Sequence, residues 1–211
     1  MSVPRLHVVT DDDVLSRPDF PAGAAAMVRA HGERVALHLR SPAGDVRLLH
    51  ERAAELAPRA KRAGSPLLVN DRADVAMAVG GAGLELGVRS IPVQAARALV
   101  GEDRLIGYSA HGPEEAASAV MNGADFVLIG TIWETPSHPG RPGSGVALVR
   151  EAVAVVEGPV LAIGGVTGPE RAAEARRAGA HGVAVVRAVW EATDPVAASE
   201  ALLEALEGAE S

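Results

Sequence analysis

Cysteine is absent from the 211-residue chain. Disulfides, thiolate nucleophiles and cysteine-based zinc sites are therefore all excluded. Lysine is nearly absent: Lys61 is the single one, in the polar stretch Arg59-Ala60-Lys61-Arg62 at the end of a helical segment and away from any strand end. Schiff-base chemistry has no credible amine. No basic run occurs, and the formal charge of −7 is scattered along the sequence, which argues against a nucleic-acid surface or an anionic membrane surface while leaving room for a small anion at a locally positive site. No apolar run approaches the roughly 20 residues of a membrane span. Residues 1–7 lead straight into a strand pattern without the apolar core of a signal peptide, so a cytoplasmic enzyme, with neither a membrane nor a nucleic acid as partner, is the expectation.

What the sequence does contain is alternation. Short apolar runs at 6–10, 35–40, 66–70, 84–86, 105–109, 126–130, 160–163 and 183–186 are separated by alanine-rich helical segments, the βαβα signature of a buried parallel sheet. Eight strands close a barrel, and the chain length suits one: such barrels take roughly 200 to 250 residues. Helix starts follow strands where they should. Thr167-Gly168-Pro169-Glu170 reads as a capping box with an early proline, and Gly112-Pro113-Glu114-Glu115 opens an acidic first turn. A faint repeat, Gly81-Ala82-Gly83-Leu84, Gly123-Ala124-Asp125-Phe126 and Gly179-Ala180-His181-Gly182, closes helices with glycine and launches strands. The rival, an open doubly wound sheet, calls for a Gly-x-Gly-x-x-Gly after the first strand, where Thr10-Asp11-Asp12-Asp13 stands instead. The prediction is a single (β/α)8 TIM barrel spanning 1–211.

In such barrels function sits at the C-terminal strand ends and the loops beyond them. The candidates are His38, Arg40, Asn70, Asp71, Ser90, Ser109, His111, the loop 131–144, Gly164, Gly165 and Arg187. Ile163-Gly164-Gly165-Val166-Thr167 follows the seventh strand, and Val185-Val186-Arg187-Ala188-Val189-Trp190 follows the eighth and can form a short extra helix. Free main-chain N–H groups at such places, with no side chain on glycine to block approach, predict a phosphate cradle. The sixth loop is long and carries Thr135, Ser137, His138 and Arg141 among prolines and glycines, the composition of a lid with donors to close over a ligand. Among seven histidines, His31, His50 and His181 read as structural or solvated, and His7 as a satisfied core residue. His38 shares a strand face with Arg40 and is expected in the barrel interior near its top, whereas His111 and His138 lie on active-face loops. No pair has metal-ligand spacing.

The stretches Leu6-His7-Val8-Val9-Thr10-Asp11, Leu37-His38-Leu39-Arg40, Val69-Asn70-Asp71-Arg72-Ala73-Asp74-Val75-Ala76, Gly107-Tyr108-Ser109-Ala110-His111, Ala124-Asp125-Phe126-Val127-Leu128-Ile129-Gly130, Thr135-Pro136-Ser137 and Ala162-Ile163-Gly164-Gly165-Val166-Thr167 resemble, taken together, the thiamine phosphate synthase / TenI superfamily. The resemblance implies a barrel that binds a thiazole phosphate on Gly165, Val186 and Arg187, beside the Gly164 of the same cradle, with Arg40, Asn70, Ser109, Thr135 and Ser137 lining the rest of the pocket. It also exposes departures. Where the synthase branch has Arg-x-Lys after strand two, this chain has Arg40-Ser41-Pro42; where it has Gly-Gln-Glu-Asp, whose aspartate helps bind magnesium, this chain has Gly87-Val88-Arg89-Ser90; and His138 replaces its loop-six lysine.

All three departures fall on diphosphate and metal handling. The expected function is accordingly that of the TenI branch: a thiazole tautomerase, needing no metal or other cofactor, that aromatises a carboxythiazole phosphate by acid/base catalysis. Two alternatives stay open. One is a thiamine phosphate synthase that uses Arg40, Arg89 or Arg141 in place of lost lysines and holds magnesium through Asp71; the other is a non-catalytic binder of the pathway. The catalytic histidine of TenI falls on Thr131 here, so elimination assigns proton transfer to His138, with His111 second and Glu134 third. The expected partner is a small phosphorylated thiazole, and a homo-oligomer is compatible with this reading.

Overall fold

The computed structural model describes residues 2–80, 82–135, 140 and 142–209. Its eight strands are β1 (Leu6–Val9), β2 (Val35–Leu39), β3 (Leu67–Asn70), β4 (Gly83–Leu86), β5 (Ile106–Ala110), β6 (Phe126–Gly130), β7 (Val160–Ile163) and β8 (Gly182–Val185). They pair in sequence order, all parallel, and β8 returns to β1 to close the barrel. The helices are α1 (Asp12–Ser16), α2 (Phe20–His31), α3 (Val46–Ala63), α4 (Ala73–Ala78), α5 (Val93–Val100), α6 (Pro113–Met121), α7 (Val146–Val155), α8 (Pro169–Arg177), α9 (Arg187–Trp190) and α10 (Pro195–Gly208). None of the described helices is long and apolar enough to cross a membrane. The (β/α)8 barrel expected from the apolar alternation is the fold.

Strand alternation sorts the core into two shells. Outward residues such as Leu6, Val8, Leu37, Leu39, Val69, Leu84, Ile106, Val127 and Ile129 join the helices in the larger apolar cluster. Inward residues Val9, Ala36, Leu68, Phe126, Leu128, Leu161 and Ala184 form a separate inner cluster. The register keeps inward residues level with inward ones around the barrel: His7 with Ala36 and Ala184, His38 with Leu68, Asn70 with Glu85, and Glu85 with Gly107.

Helix starts differ in one respect from the sequence reading. Thr167 does not cap α8; Gly168 is its N-cap and carries no side-chain hydrogen bond, because the loop enters the helix one residue later than a capping box requires. Asp11 and Asp194 do cap, accepting from Val14 N–H and from the N–H groups of Val196 and Ala197. Asp12 reaches across to the β2–α3 loop, accepting from the Ser41 hydroxyl at 2.6 Å and from Ala43 N–H at 2.9 Å.

Closure needs a backbone approach that a side chain would forbid. A Cβ on Gly182 would fall 1.9 Å from the Arg5 carbonyl oxygen, where β8 meets the start of β1. Gly182→Ala should lower unfolding stability by about 1–3 kcal/mol or more, as overpacking against backbone does. Gly158→Ala, whose Cβ would meet nothing nearer than Val120 at 3.9 Å, should stay within about 0.5 kcal/mol of the parent. Urea denaturation of both variants checks the contrast, and an equally tolerated Gly182→Ala would show that the seam yields.

Candidate active site

The mouth of the barrel is assembled from the loops after β2 to β8. After β7, Gly164 and Gly165 both take positive φ, +95° and +73°. Their missing side chains have a packing use: a Cβ on Gly164 would lie 2.6 Å from Thr131 Cγ2, and one on Gly165 would lie 2.7 Å from Trp133 Cβ and from the Glu134 carbonyl oxygen. Loop six is laid against loop seven, with Ile132 N–H donating to the Ile163 carbonyl and Trp133 N–H to the Gly164 carbonyl, both at 3.0 Å. Arg171 binds the Gly165 carbonyl and stacks its guanidinium over the Trp133 ring at 5.3 Å.

Loop six was expected to hinge as a lid. Its described ends are joined to each other, with Ser144 N–H on the Thr131 carbonyl and Gly145 N–H on the Ile132 carbonyl, and Ile132 is fully buried. Residues 136–139 and 141 lie outside the described residues, and with them fall Ser137, Arg141 and the predicted acid/base His138.

The remaining predicted residues separate into groups. Thr135 is buried, and its hydroxyl accepts from Arg187 Nη2 at 2.9 Å, which joins loop six to the short helix α9 after β8. Val186 sits at the N-cap of that helix, one residue past the strand in which the sequence reading placed it. Arg40 follows β2 and is exposed; its main chain is fixed by Thr10, whose hydroxyl accepts from Arg40 N–H at 2.8 Å. Asn70 ends β3 with its buried Oδ1 lacking a hydrogen-bond partner. Asp71 adopts a φ of +62° and accepts from the Ser90 hydroxyl. His111 is exposed and turned to α6, with Nδ1 3.8 Å from Glu115 Oε2, so it does not join Ser109 in the barrel.

Sequence reasoning missed Glu85. Its side chain is 1 % exposed, and Oε1 accepts from the Ser109 hydroxyl at 2.8 Å. Gly107 makes room for it, since a Cβ there would lie 2.1 Å from Glu85 Oε2. Burial pushes this carboxyl up to about 8, with the Ser109 hydrogen bond opposing and the charge of Asp71 adding to the rise. His38, fully buried, is held down to about 3 by burial, and His7 is lowered by burial and by the neighbouring His38. The signal was present in the sequence as one carboxylate between Leu84 and Leu86.

The thiamine monophosphate synthase family profile matches residues 6–189. The chain is 37% identical to the thiamine-phosphate synthase of Mycobacterium tuberculosis (strain ATCC 25177 / H37Ra), over 97% of this chain and 96% of that one. It is 39% identical to the thiamine-phosphate synthase of Chloroflexus aurantiacus, over 94% of this chain and 90% of that one. A thiamine phosphate pyrophosphorylase from Pyrococcus furiosus superposes with a TM-score of 0.82 at 29% identity, covering 98% and 97% of the two chains. The chain belongs to the thiamine monophosphate synthase family.

Membership makes it an enzyme of thiamine biosynthesis, and the tautomerase expectation finds no support among these relatives. Relatives that match nearly end to end carry the synthase name, not that of an isomerase.

Within this family member, Glu85 gives stability a pH signature. The unfolded carboxyl ionises near 4.5, while the folded one stays protonated to about 8. Its contribution is therefore fully present below about pH 4.5 and is lost as pH rises through about 8, because ionisation is free in the unfolded chain and resisted in the folded one. In urea melts from about pH 5 to about pH 9, the parent should weaken relative to E85Q, with the gap widening up to about pH 8 and constant above it. The histidine contribution, which enters below 6.5, is common to both proteins and cancels. A gap independent of pH would mean that Glu85 is already ionised in the fold.

Proposed function

We propose that this protein is a thiamine-phosphate synthase, a transferase that joins a pyrimidine diphosphate to a thiazole phosphate. The observation that carries the reading is the 37% identity that runs over 97% of the chain and 96% of a relative bearing that name. The chemistry is a displacement. The bond between the pyrimidine methylene carbon and the diphosphate oxygen breaks, its electron pair leaving with diphosphate, and the thiazole nitrogen lone pair forms the new carbon–nitrogen bond. No proton has to move, so the reading does not need the histidine that the tautomerase required.

Binding and charge neutralisation are then the work of the site. The thiazole phosphate is assigned to main-chain N–H groups of Gly165, Val186 and Arg187, with Gly164 shaping the loop. The Arg187–Thr135 bond supports this by holding loop six and α9 together at that point. Asn70, Ser109 and Thr135 line the space between, and Arg40 and Arg89 are the cations of the rim that suit a departing diphosphate. Asp71, one oxygen of which takes the Ser90 hydroxyl, is the carboxylate that would hold magnesium together with diphosphate oxygens, since that ion is commonly bound by one or two carboxylates plus substrate phosphates, and the arginines would add positive charge beside it.

Incubating the purified protein with pyrimidine diphosphate, thiazole phosphate and magnesium should yield thiamine phosphate, read by oxidation to fluorescent thiochrome phosphate. No product, together with aromatisation of carboxythiazole phosphate, would restore the tautomerase. Arg187→Ala, which keeps the main-chain N–H but removes the side-chain bond to Thr135 that joins loop six to α9, should raise KM for thiazole phosphate by about 3- to 10-fold, the scale of one hydrogen bond, and leave KM for the pyrimidine diphosphate nearly unchanged. Equal effects on both substrates would move the phosphate away from α9.

A further inference from the structure

Three titratable side chains are sealed inside the barrel, and their hydrogen bonds have a determinable direction. The Pro4 carbonyl can only accept. His7 Nε2 lies 3.1 Å from it, so Nε2 carries the proton and the neutral ring presents Nδ1 as an acceptor. His38 Nε2 is 2.8 Å from that atom and must be its donor, which leaves His38 Nδ1 as a bare lone pair. Both rings are fully buried with centroids 4.9 Å apart, and a charge on either would stand unpaired in an apolar interior.

His38 Nδ1 has no hydrogen-bond partner, and neither has Glu85 Oε2, which lies 3.9 Å from it. That gap is too narrow for a water between them. The pair is beyond hydrogen-bond reach, but two lone pairs facing each other in an apolar interior repel, and a single proton on Oε2, facing the bare lone pair of His38 Nδ1, removes that repulsion. Oε1 is then the carbonyl oxygen, and it takes the Ser109 hydroxyl proton at 2.8 Å.

We infer that Glu85 is a positioning residue that commits the Ser109 proton inward, onto its Oε1, and so turns Ser109 into an acceptor facing the barrel mouth. A ligand group that reaches Ser109 must then be a donor, an N–H or O–H; a carbonyl oxygen or a ring-nitrogen lone pair is refused there. This rests on the assignment of the barrel mouth as the substrate pocket. It makes Glu85 a determinant of specificity without contact with substrate.

The polarity can be tested on the intact protein in two ways. Glutamine at 85 accepts from Ser109 through its oxygen and turns its amide N–H toward the His38 lone pair, so E85Q keeps the polarity, whereas E85L removes the acceptor of the Ser109 proton. For one of the two substrates, pyrimidine diphosphate or thiazole phosphate, KM should rise about tenfold in E85L with kcat largely kept, the size of one neutral hydrogen bond, and E85Q should restore it. S109A should show the same rise, and E85L/S109A no more than S109A alone. Nitrogen-15 shifts of the imidazoles should show neutral Nε2–H tautomers for His7 and His38 in the parent and in E85Q. An Nδ1–H proton on either ring, or an E85Q as impaired as E85L, overturns the inference. If E85L fails to fold, the near-isosteric E85Q and S109A together with the tautomers still decide it. A protein without turnover would sink the synthase reading and leave the tautomers to judge the polarity.

Discussion

Closing eight parallel strands on themselves leaves an interior that side chains must fill, since a barrel of this size holds a packed core and not a channel. That requirement governs everything at the mouth. Small residues interrupt the inner shell: alanine at 36 and at 184 stands level with His7, glycine at 107 with Glu85 and Phe126, and glycine at 182 with Leu161. Space freed by the small residues is occupied by His7, His38 and Glu85, all at most 1 % exposed. Phe126 packs edge-on against both imidazoles, 4.8 and 6.3 Å from their centroids. A polar column is thus built into the filling of the barrel, with Pro4 at its lower end and Ser109 at the upper.

Polar groups in such a column have no water to fall back on, so each must find its partner in the strand beside it. Parallel pairing supplies those partners by register. Val9 is level with His38, and Glu85 with Gly107, so the side chains of neighbouring strands meet at staggered heights, His38 on β2 with His7 on β1 and Glu85 on β4 with Ser109 on β5. The glycine at 107 is the condition for this, because a methyl group there would displace both Glu85 and Phe126. Packing and polarity are one problem at this level of the barrel, and a substitution in either disturbs the other.

The fold was legible in the sequence because its signal is repeated eight times. The apolar runs at 126–130 and 160–163 coincide with β6 and β7. Elsewhere the edges slip by about a residue, as at β8, where Val186 leaves the sheet with ψ near −77° to begin α9. The site was legible only where loop chemistry is local. Glycines 164 and 165 and the Arg187–Thr135 pair lie where the apolar pattern stops, and the pattern marks such places. Glu85 was not legible as a functional residue because its meaning depends on His38 and Ser109, which come from other strands and are brought level with it by register alone. Its parity between Leu84 and Leu86 shows that it points inward, but nothing local shows what it meets.

Departures at the rim misled the functional reading for a related reason. Pro42, Ser90 and His138 were each read as the loss of a charge needed for diphosphate, as if each position acted alone. A charged cleft works through its summed field, and this rim keeps Arg40 and adds Arg89 beside it, so positive charge remains although its carriers differ. Arginine also holds its charge under any local environment and presents a planar fork to phosphate oxygens. Ser90 adds a further link: by donating to Asp71 it ties the loop after β4 to the loop after β3, so that rim position is spent on holding two loops together rather than on charge.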